Sequence, residues 1–120
     1  MAVRSPITEA HHWFVGEDRF LEFLITEAGA ALDCSTFAME WALKRNVNDS
    51  TVVLTKTTGG ATISTDDGDG TDDLVRVAIY DTDTDGLLPG WYSYVLRRTD
   101  PGAEVVLAYG PAYLAKAASP

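Results

Sequence analysis

Six consecutive residues have the types and the spacing of a cation loop. Asp81-Thr82-Asp83-Thr84-Asp85-Gly86 places an acid at every second position and ends on glycine. This is the D-x-D-x-D-G opening of a calcium loop, where alternate carboxylates converge on one ion and glycine allows the sharp turn. The match stops there. A calcium loop closes on a bidentate Glu at its twelfth position, which here is Tyr92, and its flanks are helices where these read as strands. Asp81, Asp83 and Asp85 are carried as candidate ligands, with Asp66–Asp73 as a second source of carboxylates; the ordinary reading is a solvated acidic turn, and no cofactor is expected.

The remaining reactive side chains form no catalytic pattern. His11 and His12 are adjacent, so in a strand they point to opposite sides and cannot chelate one ion together. Cys34 has no Cys-His spacing around it and reads as a small buried hydrophobe. No G-x-S-x-G elbow occurs, and Gly59-Gly60 and Gly68-x-Gly70 lack the strand-to-helix context of a phosphate loop. A non-enzymatic protein is expected. The aromatic residues are a different matter. Trp13, Trp41 and Trp91, with Tyr92, Tyr94, Tyr109 and Tyr113, could furnish a sugar-stacking platform, but they fit core or inter-subunit packing first. If Tyr92 points inward, Trp91 faces out; Trp91 and Trp13 are the candidates for an interface anchor or ligand platform.

The frame that must position these groups follows from composition and period. The chain has 120 residues, 46% of them hydrophobic, with nine Lys+Arg against eighteen Asp+Glu and a net charge of -9. One domain and one core fit that length. The acidic average disfavours nucleic acid and anionic membranes as partners. Eight Asp fall between Asp66 and Asp85 against one Arg, Arg76. A single Cys excludes a disulfide scaffold. The first fifteen residues lack the apolar segment of a secretory leader, and Asn48-Asp49-Ser50 reads as a polar turn.

The dominant period is two. Leu21, Phe23 and Ile25 alternate with Phe20, Glu22 and Leu24, and Phe37, Met39, Trp41 and Leu43 alternate with Ala38, Glu40, Ala42 and Lys44. Further strands are predicted at Thr51–Lys56, Ala61–Thr65, Leu74–Tyr80, Trp91–Arg98, Glu104–Tyr109 and Ala112–Leu114, with an edge strand at His12–Val15. Val105, Leu107 and Tyr109 are placed on one face. Asp81–Gly90 is predicted as a loop whose Leu87-Leu88 tucks under the domain edge. All five prolines are placed outside strand interiors. Seven to nine short strands with turns every 8–12 residues predict an all-β, antiparallel, immunoglobulin-like β-sandwich. It forms a single domain over 1–120, with short arms at 1–12 and 111–120.

Several segments carry a resemblance. Gly16-Glu17-Asp18 leads into Phe20-x-x-Phe23-x-Ile25. Then come Trp41-x-Leu43-Lys44, Lys56-x-Thr58-Gly59-Gly60-x-x-Ile63, Asp81 to Asp85, Leu88-Pro89-Gly90-x-Tyr92-x-Tyr94-x-Leu96, and Gly110. Together they resemble small bacteriophage virion proteins with an immunoglobulin-like sandwich, similar to the N-terminal domain of phage upper-baseplate proteins. Asp33-Cys34-Ser35 departs from that group's usual Leu-Thr-Gly. The resemblance implies a structural or accessory component of a virion, in the tail, baseplate or capsid surface, made in the bacterial host cytoplasm. Its expected partners are other copies of itself, as a homo-oligomer, and other virion proteins. The alternative is a carbohydrate-binding module that uses exposed aromatics, aided by calcium.

Overall fold

The computed structural model describes residues 7–8, 10–27, 30–31, 34, 36–46, 48, 51–60, 62–65 and 74–115. The Asp66–Asp73 loop, the turn at Gly29, most of Asn48-Asp49-Ser50 and the tail after Ala115 lie outside the described residues. Strands occupy Ile7–Thr8 (β1), His11–Phe14 (β2), Arg19–Leu24 (β3), Thr26–Glu27 (β4), Ala30–Ala31 (β5), Met39–Lys44 (β6), Leu54–Thr57 (β7), Ile63–Ser64 (β8) and Leu74–Ile79 (β9). One helical turn, Asp81–Thr84 (α1), precedes Gly90–Arg98 (β10) and Val105–Ala115 (β11). The chain is all-β.

The larger sheet has the order β1-β11-β10-β6-β7, with β2 also on β11; the smaller has the order β3-β9-β8, and β4 and β5 form a separate small ladder. The alternation read from the sequence decides which side chains face the space between the two sheets. Leu21 and Phe23 of β3, Met39, Trp41 and Leu43 of β6, Val75, Val77 and Ile79 of β9, and Tyr92, Tyr94 and Leu96 of β10 are all buried together. Each such side chain contributes roughly 1.5–3 kcal/mol on leaving water. Aromatic rings carry the contact from sheet to sheet. Phe23 lies 5.5 Å from Tyr94, and Trp41 stacks on Tyr94 at 6.3 Å and 26°. His11 packs edge-on against both Phe23 and Tyr94. At the start of β10, the Tyr92 hydroxyl donates to the Leu88 carbonyl at 2.6 Å, closing the corner that leads into the strand.

Five expectations are corrected. The larger sheet is mixed rather than antiparallel, because β1 and β2 both run parallel to β11. Strand β11 is eleven residues long, and the N-terminal strands cover its second edge. The same pairing draws residues 7–8, 11–12 and 111–115 into the sheet, so those positions are not free arms. Pro111 lies inside β11, opposite Ser93; the N-terminal pairing breaks between Tyr109 and Ala112, where a residue without an N–H is tolerated. A bulge at Leu107, between the pairs Arg97–Val106 and Leu96–Ala108, reverses the faces, so that Leu107 is buried and Tyr109 turns outward. The segment after Tyr80 begins as a helical turn, and while Leu87 packs on the core, Leu88 is exposed.

Candidate interaction face

The outer side of the larger sheet is built by the residues that alternate with the core. On β10 these are Trp91, Ser93 and Val95, since Tyr92, Tyr94 and Leu96 are turned inward. Their partners on β11 are Tyr113, Pro111 and Tyr109, respectively. Ala42 of β6 lies opposite Val95 on the other side, and His12 of β2 lies beside Tyr113. A row of rings thus crosses three strands: Trp91 meets Tyr113 at 4.9 Å, Tyr113 meets His12 at 5.3 Å, and Phe14 lies 6.0 Å from His12. Trp91 is 61% exposed, and Phe14 and Tyr109 are 45% exposed. The strands hold these side chains in place, so their exposure is a fixed property of the sheet.

The relief of the face is uneven. At the Trp91 end, a shallow recess of about 380 Å³ is bounded by Ala10, His11, His12, Trp91 and Tyr113. Between β10 and β11, a second recess of about 480 Å³ runs from Ser93 and Pro111 in the middle of the face to Val95, Tyr109 and Val106. Among the described residues the face carries two cations and one carboxylate. Arg97 donates to Glu40 at 3.0 Å at one end of the face, and Lys44 stands beside Ser93. In a chain of net charge -9, the described residues of this sheet surface display one carboxylate, already paired.

The smaller sheet offers a more mixed outer surface. Phe20 is 63% and Leu24 53% exposed, but the Arg76–Glu22 ion pair at 2.8 Å separates them. A recess of about 580 Å³ beside Phe20 is lined by Glu17, Asp18, Arg19 and Tyr80.

The acidic motif does not form a converging cage. Asp83 sits in α1 and turns its carboxylate to Lys56 at 2.6 Å and to the Tyr80 N–H at 2.7 Å. Asp81 accepts from the Thr82 N–H, and Asp18 accepts from the Asp81 N–H. Asp85 follows as the helix C-cap. Among the described residues, no group of three or more His, Cys, Asp or Glu side chains is placed to hold a metal ion. Trp13 is corrected as a platform candidate. It is 1% exposed and belongs to the core, its indole N–H meeting no hydrogen-bond partner among the described residues. Trp91 does face out, as the inward side chain of Tyr92 requires. His11 and His12 point to opposite sides, but only His12 lies on the outer face; His11 is half-buried. Cys34 is buried.

Sequence reasoning weighed Tyr109 and Tyr113 as platform aromatics but favoured packing for them, and it missed Pro111 as a member of the outer row. The signal was available in the second half of β11, where Pro111 and Tyr113 alternate with Ala112 and Leu114. No protein-family profile matches this chain, and no curated protein matches it.

Proposed function

We propose that this protein is a non-enzymatic structural or accessory component of a bacteriophage virion, assembling through the outer face of its larger sheet. The observation that carries assembly is the exposed aromatic surface around Trp91, presented by the six-stranded sheet. Exposed patches of this kind on a sheet mark protein–protein contact. The virion setting, in the tail, baseplate or capsid surface, is supported by the sequence resemblance.

An immunoglobulin-like topology is part of the same proposal. The order β11-β10-β6-β7 in one sheet and β3-β9-β8 in the other, with the N-terminal strands alongside β11, supports a variable-type arrangement. Trp41 occupies the place of the buried tryptophan on the third strand of such domains. Phe23 and Tyr94 stand where their inter-sheet disulfide runs, and the Tyr92–Leu88 hydrogen bond corresponds to their tyrosine corner. Aromatic packing would replace the disulfide in a chain with one cysteine.

Sedimentation of the purified protein, alone and with phage particles, tests the assignment. Co-sedimentation with particles, lost on Trp91→Ala while the fold persists, is the expected result. A strict monomer that never accompanies particles overturns it. The competing reading is a glycan platform at the Trp91–Tyr113 pair, but those rings are inclined at 56° and do not form one flat stacking surface. Binding on a host-surface glycan panel that disappears with Trp91→Ala, with assembly unaffected, would favour that reading.

A further inference from the structure

Taking the outer face of the larger sheet as an assembly surface, we propose that its occupant is an acidic, proline-rich segment of another protein, bound as a polyproline II helix with one proline ring seated beside Trp91 and Tyr113. The backbone directs the mode of binding. From Ser93 to Arg98, β10 is paired to β11 on one side and to β6 on the other, so the middle of this face has no open strand edge and a ligand is held by side chains. Those side chains have a definite shape. The Trp91 and Tyr113 rings lie 4.9 Å apart and are inclined at 56°, and His12 stands edge-on to Tyr113. Inclined rings make a poor floor for a flat sugar, but the notch of about 380 Å³ that they line suits the convex ring of proline, the side chain that polyproline II segments dock into aromatic grooves.

The polar groups favour the same occupant. The Trp91 indole N–H, the Lys44 ammonium and the hydroxyls of Tyr109 and Tyr113 belong to side chains of this face, and none of them makes a hydrogen bond or ion pair among the described residues. Each can donate. The one carboxylate of the face among those residues, Glu40, is held by Arg97 at 3.0 Å. Donors without an open carboxylate fit a chain of carbonyls from which proline has removed the N–H groups. Sugar hydroxyls donate as well as accept, and they find no open carboxylate here. Spacing agrees too. The second recess, about 480 Å³ from Ser93 and Pro111 to Val95 and Tyr109, is centred about three residues further along β10, roughly 10 Å at the rise of a strand. Three residues of polyproline II advance about 9 Å, so prolines three positions apart meet the two recesses. Charge supplies the acidic part. Most of a chain of net charge -9 repels a carboxylate, whereas Lys44, opposite Ser93 in the register and so level with the space between the recesses, receives one.

The test uses the full chain, isotope-labelled for NMR, and two capped peptides of equal length: one of eight prolines and one of alternating glycine and serine, each flanked by glutamates. Trp13 and Trp41 are buried, so their indole signals are internal controls. The proline peptide is expected to shift the Trp91 indole signal and leave the other two in place, and the glycine-serine peptide to shift none. Read at the Ser93 amide, Trp91→Ala should weaken binding by at least about 30-fold, the scale of an interface hot spot. Tyr113→Phe, which keeps the ring and removes the hydroxyl, should weaken it by about 5-fold. Lys44→Glu should weaken it by about 2–5-fold, an effect that fades at high salt. Circular dichroism confirms that each variant folds; should Trp91→Ala not fold, the other two carry the test. No shift at Trp91 with millimolar proline peptide, equal binding of the glycine-serine peptide, or an affinity indifferent to these substitutions overturns the proposal. Co-sedimentation with phage particles separates it from the virion reading. A protein that joins particles through Trp91 but ignores the proline peptide sinks this occupant alone, and one that binds the peptide but never joins particles sinks the virion assignment alone.

Discussion

Lys56 Nζ and Asp83 Oδ2 lie 2.6 Å apart, with their side chains 7% and 18% exposed, and this ion pair ties an edge of the larger sheet to the crossover from the smaller one. Lys56 is on β7. Asp83 is in α1, the single helical turn between β9 and β10, and also accepts from the Tyr80 N–H. The ammonium lies 4.9 Å from the centre of the Tyr80 ring. Removing one partner leaves a buried charge uncompensated, whereas removing both leaves an apolar site. Asp83→Ala is expected to destabilise the protein by about 3 kcal/mol, and Lys56→Met combined with Asp83→Ala by clearly less. Urea denaturation of the two variants checks this. A loss below about 1 kcal/mol for Asp83→Ala would show that water already screens the pair.

A second expectation concerns the corner before β10. The Tyr92 hydroxyl donates to the Leu88 carbonyl at 2.6 Å, and the Arg45 guanidinium lies 4.7 Å from the centre of the same ring. Tyr92→Phe keeps the buried ring and the cation contact but removes the donor. The cost should be about 1–1.5 kcal/mol, the net worth of one intramolecular hydrogen bond. That corresponds to a fall in Tm of several degrees for a domain of this size. An unchanged melting temperature would show that the hydrogen bond does not hold the corner.

These two contacts differ in how legible they were. The alternation in Phe20–Ile25, Met39–Lys44 and Trp91–Leu96 was enough to place Phe23, Trp41 and Tyr94 in one core, because a strand with one buried face writes its period directly into the sequence. It also predicted that Trp91 would face out once Tyr92 faced in. The burial of Lys56 was not legible. Its partner is 27 residues away, and only the packing of α1 brings the carboxylate to it. Tyr109 was assigned to the wrong face because one additional residue in β11 reverses every side chain beyond it. The parallel docking of β1 and β2 was also hidden: a hairpin announces itself through its turn, but a first strand that returns to the last leaves no local signal. Trp13 was consequently grouped with the surface.

Gly90 provides a third test. It opens β10 at φ +140°, a backbone state L residues rarely adopt, and a Cβ there would stand 2.9 Å from a terminal nitrogen of Arg45. Arg45 can swing aside, so the backbone is the main cost. Gly90→Ala is expected to destabilise by about 1–3 kcal/mol, and the displacement of Arg45 would weaken its contact with Tyr92. In the double variant with Arg45→Ala, most of the loss should persist. Near-complete recovery in chemical denaturation would instead assign the cost to the steric clash.

Asp100 makes stability depend on pH in a defined direction. Its Oδ2 accepts from Arg98 Nε at 2.7 Å and from the Ala38 N–H at 3.0 Å, joining the β10–β11 turn to the segment that enters β6. The Arg98 hydrogen bond, followed by the Ala38 N–H, lowers its pKa below the ordinary carboxylate value. Arg98 is itself held over the Phe37 ring at 3.8 Å, which keeps the donor in position. Because the folded state binds this proton less readily than the unfolded chain, the stabilisation is fully present above the ordinary carboxylate pKa. It is lost as pH falls through the depressed folded value. Asp100→Asn keeps the shape but cannot carry the charge. The wild-type protein should therefore melt above the variant near neutrality, and the gap in Tm should close as pH is lowered from about 5 to about 2. A gap that stays constant across that range would assign the effect of the substitution to geometry rather than to the carboxylate's charge.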